Sequence, residues 1–262
     1  MHHMLTLCYK EWLELRHHRT LVAGLLIPPF MLTMLPIVTV WLSGFAPPGD
    51  MAEEMNRTLT DPALAQLSGL ELGQAMIGQQ FGLLFMMLPL IIPNVISSYS
   101  IVGEKTNRTL EPLLATPIST SALLLGKAFT AMVPAVGITW VCGSIFIISM
   151  ARFTVSPAVF TAIVSPAWLL LLIIAAPLMS LISILLTLAI SSRVNDPRSA
   201  QQIVAVLIIP VMLFFFAQTV GFVSLNIVMV MLLVLALAII AACCLWLVVR
   251  LFQRETILTR WR

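Results

Sequence analysis

Six stretches of this chain, residues 21–45, 78–102, 128–150, 167–190, 201–220 and 227–249, contain no Asp, Glu, Lys, Arg or His. About 20 residues of α-helix cross the roughly 30 Å hydrocarbon core of a bilayer, and each stretch meets that length. The apolar residues run continuously instead of alternating, which predicts helices and not the strands of a barrel. Charged residues make up 10 % of the chain, where a soluble domain carries about a quarter. With 60 % hydrophobic residues, that balance excludes disorder, a coiled coil, a secreted disulfide scaffold and an ordinary soluble enzyme. The predicted fold class is an all-α integral membrane protein of six transmembrane helices, forming one transmembrane domain over residues 1–262.

Orientation follows from the basic residues, which concentrate on the cytoplasmic side. Segments 1–20, 103–127, 191–200 and 250–262 hold Lys10, Arg16, Arg19, Lys105, Arg108, Lys127, Arg193, Arg198, Arg250, Arg254, Arg260 and Arg262. The alternate segments 46–77, 151–166 and 221–226 hold only Arg57 and Arg152. Both termini are therefore expected in the cytoplasm of a cell carrying this protein in its plasma or inner membrane. Losing one span would scramble the alternation. The first apolar run is too long for a signal-peptide core and lacks a small-residue cleavage site, so no cleavable leader is expected.

Outside the spans, residues 4–20 place Leu5, Cys8, Trp12 and Leu15 on one helical face, with Lys10, Glu11, Glu14, Arg16, His17 and His18 around them. This reads as a short amphipathic helix on the inner leaflet, or as an inward extension of the first span. The outer loop 46–77 is acidic, and Asp61-Pro62 predicts a helix over 63–76 leading into the second span. Ser156-Pro157 predicts a short helix over 158–164 in the outer interface. Ser165-Pro166 caps the fourth span and puts Trp168 at the headgroup level. Gly78 and Gly82 form a small-xxx-small step suited to close helix packing. Prolines fall in five of the six spans, as kink points of a moving protein. Cys142, Cys243 and Cys244 lie in apolar runs and read as small buried hydrophobes, and the four histidines as solvated residues, so no metal site is expected.

Several chemistries have no residues to carry them. There is no G-x-x-x-x-G-K-[ST] to cradle ATP phosphates, no H-E-x-x-H, and no G-x-S-x-G. Proton- and sodium-driven transporters usually keep an ionisable group among their helices, and these spans hold none. Transport energy must then come from a partner, unless the protein is a passive channel or a scaffold.

Between the second and third spans residues 103–119 read GEKTNRTLEPLLATPIS, followed by Leu125-Gly126-Lys127. Glu111-Pro112 starts a short helix, Leu113 and Leu114 give it an apolar side, and Thr116-Pro117 ends it. Ser119 or Ser121 then caps the third span. A short rigid helix at the inner surface can pass force between a soluble partner and the bundle.

This segment resembles the membrane subunits of ABC-2 type ABC transporters. Their pattern is matched by Glu104, Thr109, Leu110, Glu111, Leu113, Leu114, Thr116, Pro117, Ser119, Gly126 and Lys127. Lys10-Glu11 with Arg16 and Arg19, and Ser191-Ser192-Arg193 with Asp196 and Ala200, are also similar to the family. The resemblance implies a permease that pairs with a second copy or a close homologue, forms a twelve-helix unit and binds two ABC ATPase subunits. No cofactor is expected in this chain, with ATP and Mg on the ATPase. It further implies that Glu104, Lys105, Arg108, Thr109, Leu110, Glu111, Leu113 and Leu114 contact that ATPase, while Lys10, Glu11, Trp12, Glu14 and Arg16 belong to the interfacial helix. The Pro-bearing first, second and fifth spans are expected to wall the pathway between protomers.

Two other classes compete with an exporter, a membrane-embedded lipid-modifying enzyme and an assembly factor. The enzyme needs a polar cluster near one leaflet, which the sequence does not reveal. The short outer loop and the absence of intramembrane carboxylates disfavour a sodium cargo. Spans rich in Leu, Ile, Val, Met and Phe suit an apolar or amphipathic one.

Overall fold

A computed structural model describes residues 19–45, 67, 69–106, 120–191, 194, 196–219 and 226–251. Six helical spans are long and apolar enough to cross a membrane, Gly24–Ser43, Leu70–Tyr99, Gly126–Phe153, Pro157–Ser191, Pro197–Thr219 and Ile227–Arg250. Each charge-free run of the sequence overlaps one of them.

The first span lies on helix α1 (Arg19–Ser43). The second is built from α2 (Leu70–Leu84), a 3-10 turn (Phe85–Met87) and α3 (Leu88–Thr106). The third belongs to α4 (Thr120–Phe153). A short helix α5 (Pro157–Ile163) precedes α6 (Pro166–Leu170), a π turn (Leu171–Ala175) and α7 (Ala176–Ser191), which make the fourth. The fifth comprises α8 (Pro197–Val204), a 3-10 turn (Ala205–Leu207) and α9 (Ile208–Thr219), and the sixth is α10 (Ile227–Leu251).

The second and fourth spans form the centre. Their apolar windows are 72 % and 56 % buried, against 11 % for the fifth and sixth. The Ser183 hydroxyl donates to the Leu90 carbonyl and the Thr187 hydroxyl to Asn94 Oδ1. Both pairs are 93 residues apart, so the two spans run parallel in a fixed register. That direction is what two even-numbered spans of an alternating bundle require.

At the opposite end of the bundle, Gln74 is fully buried and fully used. Its Nε2 donates to the Val40 carbonyl at 3.1 Å and the Phe153 carbonyl at 3.4 Å, and its Oε1 accepts from the Val155 N–H at 3.0 Å. One glutamine thus ties the end of the first span, the start of the second and the end of the third on one side. An unpaired buried amide costs about 1–3 kcal/mol, which is why all three contacts converge on it.

The two serine–proline signals act as expected. Ser156 and Ser165 accept from the backbone N–H of Val159 and Trp168, each followed by Pro at the first helical position. The small-xxx-small step is also used. A Cβ on Gly78 would lie 2.3 Å from Ile163 Cδ1, and one on Gly82 would lie 2.9 Å from Trp168 Nε1.

Three expectations need correction. Trp168 is not a headgroup anchor. It is 1 % exposed, donates its indole N–H to the Gly82 carbonyl at 3.0 Å, and packs with Phe85 and Phe146. Glycine at 82 leaves room for the ring, so an amphipathic side chain satisfies its N–H inside the protein. The helix expected over 63–76 does not reach the second span unbroken, because Leu67 is non-helical and Gly69 turns the chain at φ 56° before α2 begins. Asp61 and Pro62 lie outside the described residues. Cys243 is exposed on the outside of α10, whereas Cys142 is buried as expected.

Non-α turns end two or three residues before three of the prolines, Pro89, Pro177 and Pro210. The π turn shows why. The Ala176 N–H donates to the Leu171 carbonyl, five residues back. The next donor in that pattern would serve Leu172, but residue 177 is proline and has no N–H. Trp140 on α4 supplies the missing donor, its Nε1 lying 3.0 Å from the Leu172 carbonyl.

Candidate functional site

The segment that carries the sequence motif joins α3 to α4. Glu104 and Lys105 lie in the last turn of α3. Arg108, Thr109, Leu110, Glu111, Leu113 and Leu114 lie outside the described residues, as do Lys10, Glu11, Trp12, Glu14 and Arg16. Lys127 starts the transmembrane part of α4 and is buried, 4 % exposed.

Toward its Glu104 end, the second span meets the fourth and fifth through a cluster that sequence reasoning missed. Asn94 Nδ2 donates to the Gln201 carbonyl at 3.2 Å, and Asn94 Oδ1 accepts from Thr187 Oγ1 at 3.2 Å. Gln201 Nε2 donates to Ser98 Oγ at 2.9 Å, and the Ser98 hydroxyl passes its own proton to the Val95 carbonyl. Asn94, Ser98, Ser183 and Thr187 are all buried. Two more buried hydroxyls, Ser97 and Ser191, extend the cluster along the two helices, both without a hydrogen-bond partner. The clue was available in the spacing. Ser180, Ser183, Thr187 and Ser191 fall at i, i+3, i+7 and i+11 on one helical face. Searching the spans only for ionisable groups passes over such a stripe.

The cluster is entirely neutral, with no carboxylate, imidazole or amine among its hydrogen-bonding groups. It can hold helices in register, since interhelical hydrogen bonds in membranes contribute about 0.6 kcal/mol each. It offers no general base to activate one of its hydroxyls toward a lipid. Among the described residues no three His, Cys, Asp or Glu side chains gather to hold a metal ion.

The start of the fifth span is built by Asp196. Its carboxylate accepts from the backbone N–H and hydroxyl of Ser199, each at 3.2 Å, with Pro197 at the first helical position. The cap sets the phase of α8, so that Ala200 is fully buried and Gln201 faces Asn94 and Ser98.

No curated protein matches the chain. A sequence family described as ABC-2 type transporter matches residues 2–219, which takes in the first five spans and the segment between the second and third. With six candidate spans and a match over most of its length, this multi-pass membrane protein belongs to the ABC-2 type transporter family, as a non-catalytic membrane permease.

Proposed function

We propose that the chain is the membrane subunit of an ATP-driven exporter, working as a pair of permeases with two separate ATPase subunits that carry ATP and Mg. The observation that supports this most is the second span. It is helical over residues 70–106, from the Gln74 junction past the polar cluster to Glu104 and Lys105. Although the 3-10 turn at 85–87, Pro89 and Pro93 interrupt its ladder, 72 % of its apolar window is buried, so neighbouring spans brace it as a rod. A rod of that kind passes a push at its inner end through the middle of the bundle.

The pathway is assigned to the first and fifth spans, which keep exposed apolar faces. The second span leaves the set proposed from sequence because its window is mostly buried within one protomer. The exposed faces carry Leu26, Phe30 and Val38 on α1, and Val206, Leu213 and Phe216 along the fifth span. They suit an apolar or amphipathic cargo.

The test is ATP hydrolysis. The purified permease alone should not hydrolyse ATP, because it has no phosphate-binding loop. Together with its ATPase subunit in nanodiscs it should raise that subunit's turnover. Saturable hydrolysis by the pure chain, or failure to form a complex with any ATPase subunit, would overturn the reading.

Topology gives a second check. Single cysteines at Ser68 and Thr154, in a variant free of native cysteines, should react with an impermeant maleimide from outside. Cysteines at Thr106 and Thr256 should not. The opposite pattern would invert the orientation, and with it the side on which an ATPase can bind.

A further inference from the structure

We propose that the fifth span is a strap pinned at both ends to the second span, and that Asn94 and Gln80 are the positioning residues that make it follow the second span's movement. The inference rests on the exporter reading above, and goes beyond it by naming the contacts that carry the movement.

At the Glu104 end the pin is reciprocal. Asn94 grips a backbone carbonyl of the fifth span, and Gln201 returns a hydrogen bond to Ser98, one helical turn further along the second span. At the other end Gln80 Nε2 donates to the Thr219 hydroxyl. Residues 80 and 94 pair with 219 and 201, so the two spans are antiparallel, and the pins sit near opposite ends of the fifth span.

Between the pins the fifth span is loosely held. No residue of α9 is buried. Leu207, Val211, Phe214 and Phe215 rest on a cluster that includes Leu83, Met86 and Leu90 of the second span, while Ile203, Val206, Ile209, Leu213 and Phe216 face outward. The 3-10 turn at 205–207 and Pro210 break the regular ladder in the same stretch, where bending is cheapest. A span with firm polar ends and a yielding apolar middle must follow the ends. Both pins lie on the second span, Gln80 on α2 and Asn94 on α3, the helix that reaches Glu104.

A purely adhesive role for these hydrogen bonds would lower stability without changing how the span responds to nucleotide, and this separates the two roles. Spin labels at Ile145→Cys and Leu213→Cys, both exposed positions, in a variant free of native cysteines report the distance between the third and fifth spans. The measurement uses the permease–ATPase complex in nanodiscs, nucleotide-free and then trapped with ATP and vanadate. The native sequence should show a nucleotide-dependent change in that distance. Asn94→Leu should remove it while the partner still hydrolyses ATP. Gln80→Leu, at the more accessible pin, guards against a simple folding failure and should reduce it. Gln202→Leu, exposed and outside both pins, should leave it intact. A full-sized change in both Asn94→Leu and Gln80→Leu would overturn the strap, as would no change at all in a complex whose hydrolysis the permease stimulates. Absence of any hydrolysing complex would instead overturn the exporter reading, and the strap with it.

Discussion

Gly82→Leu is expected to yield little or no folded permease, and Gly82→Ala a folded but clearly weakened one. The cause is local. Even a single Cβ at position 82 would sit 2.9 Å from Nε1 and 3.2 Å from Cδ1 of Trp168. That indole cannot swing aside cheaply. It is wedged 6.1 Å from Phe85 and 5.3 Å from Phe146 between ring centroids, and its N–H is committed to the carbonyl of the same glycine. Overpacking of this kind costs about 1–3 kcal/mol, and displacing the ring also endangers the hydrogen bond. Alanine recovers up to about 1 kcal/mol of helix propensity, so the net loss for Gly82→Ala should be about 1–2 kcal/mol. Gly137→Ala is the matching control. It lies within α4 and nothing stands within 4 Å of its added methyl, so it should be neutral or slightly stabilising. Thermal unfolding in detergent compares the alanine variants, and the monodisperse fraction on size exclusion reads the leucine variant. Equal melting of Gly82→Ala and Gly137→Ala would show that the Trp168 packing carries no weight.

The same neighbourhood shows where sequence reading stops in a membrane protein. The spans were legible because lipid imposes a length and forbids charge, and both requirements are local. The caps at Ser156 and Ser165 were legible because a side-chain oxygen, a proline and three residues are enough to build one. Trp168 was not, because its indole is equally content at the headgroups or against a glycine carbonyl, and only the neighbouring helix decides. The Asn94 cluster was hidden for a related reason. In helices apolar on every side, hydrophobic periodicity no longer separates the protein-facing side from the lipid-facing one. The stripe of small polar residues on the fourth span carries that information in its place, and the second and fourth spans meet along it. The π turn had a visible trigger in Pro177. The donor that repairs it stands on another span at Trp140, where local sequence has no reach.

The larger functional effect is expected from Glu111→Ala and Leu114→Ala, each of which should uncouple transport from ATP hydrolysis in a permease that still inserts and dimerises. The segment from Glu104 to Ser119 offers Glu104, Lys105, Arg108 and Glu111 for polar contacts, and Leu113 and Leu114 for an apolar pocket. Two adjacent leucines have little reason to stand between two prolines of a polar segment unless a partner covers them, and a plain connector needs no such boundaries. Interface anchors of this type cost about 2 kcal/mol or more on truncation, roughly a 30-fold loss of affinity for the ATPase. Glu111 could also act indirectly, since a carboxylate next to Pro112 would cap the short helix expected there from the sequence, at about 1 kcal/mol. Glu111→Asp separates the two effects, because it keeps the cap and shortens the reach. Low activity in both Glu111→Ala and Glu111→Asp marks a contact with the partner, and recovery in Glu111→Asp alone marks a cap. ATPase affinity measured beside permease-stimulated hydrolysis adds a second axis. Leu114→Ala should weaken binding, whereas Asn94→Leu, deep in the bundle, should leave binding untouched and lose only the response of the fifth span. If complexes of Glu111→Ala and Leu114→Ala bind and stimulate the ATPase like the native chain, the segment is a connector, and the force that drives the second span must enter elsewhere.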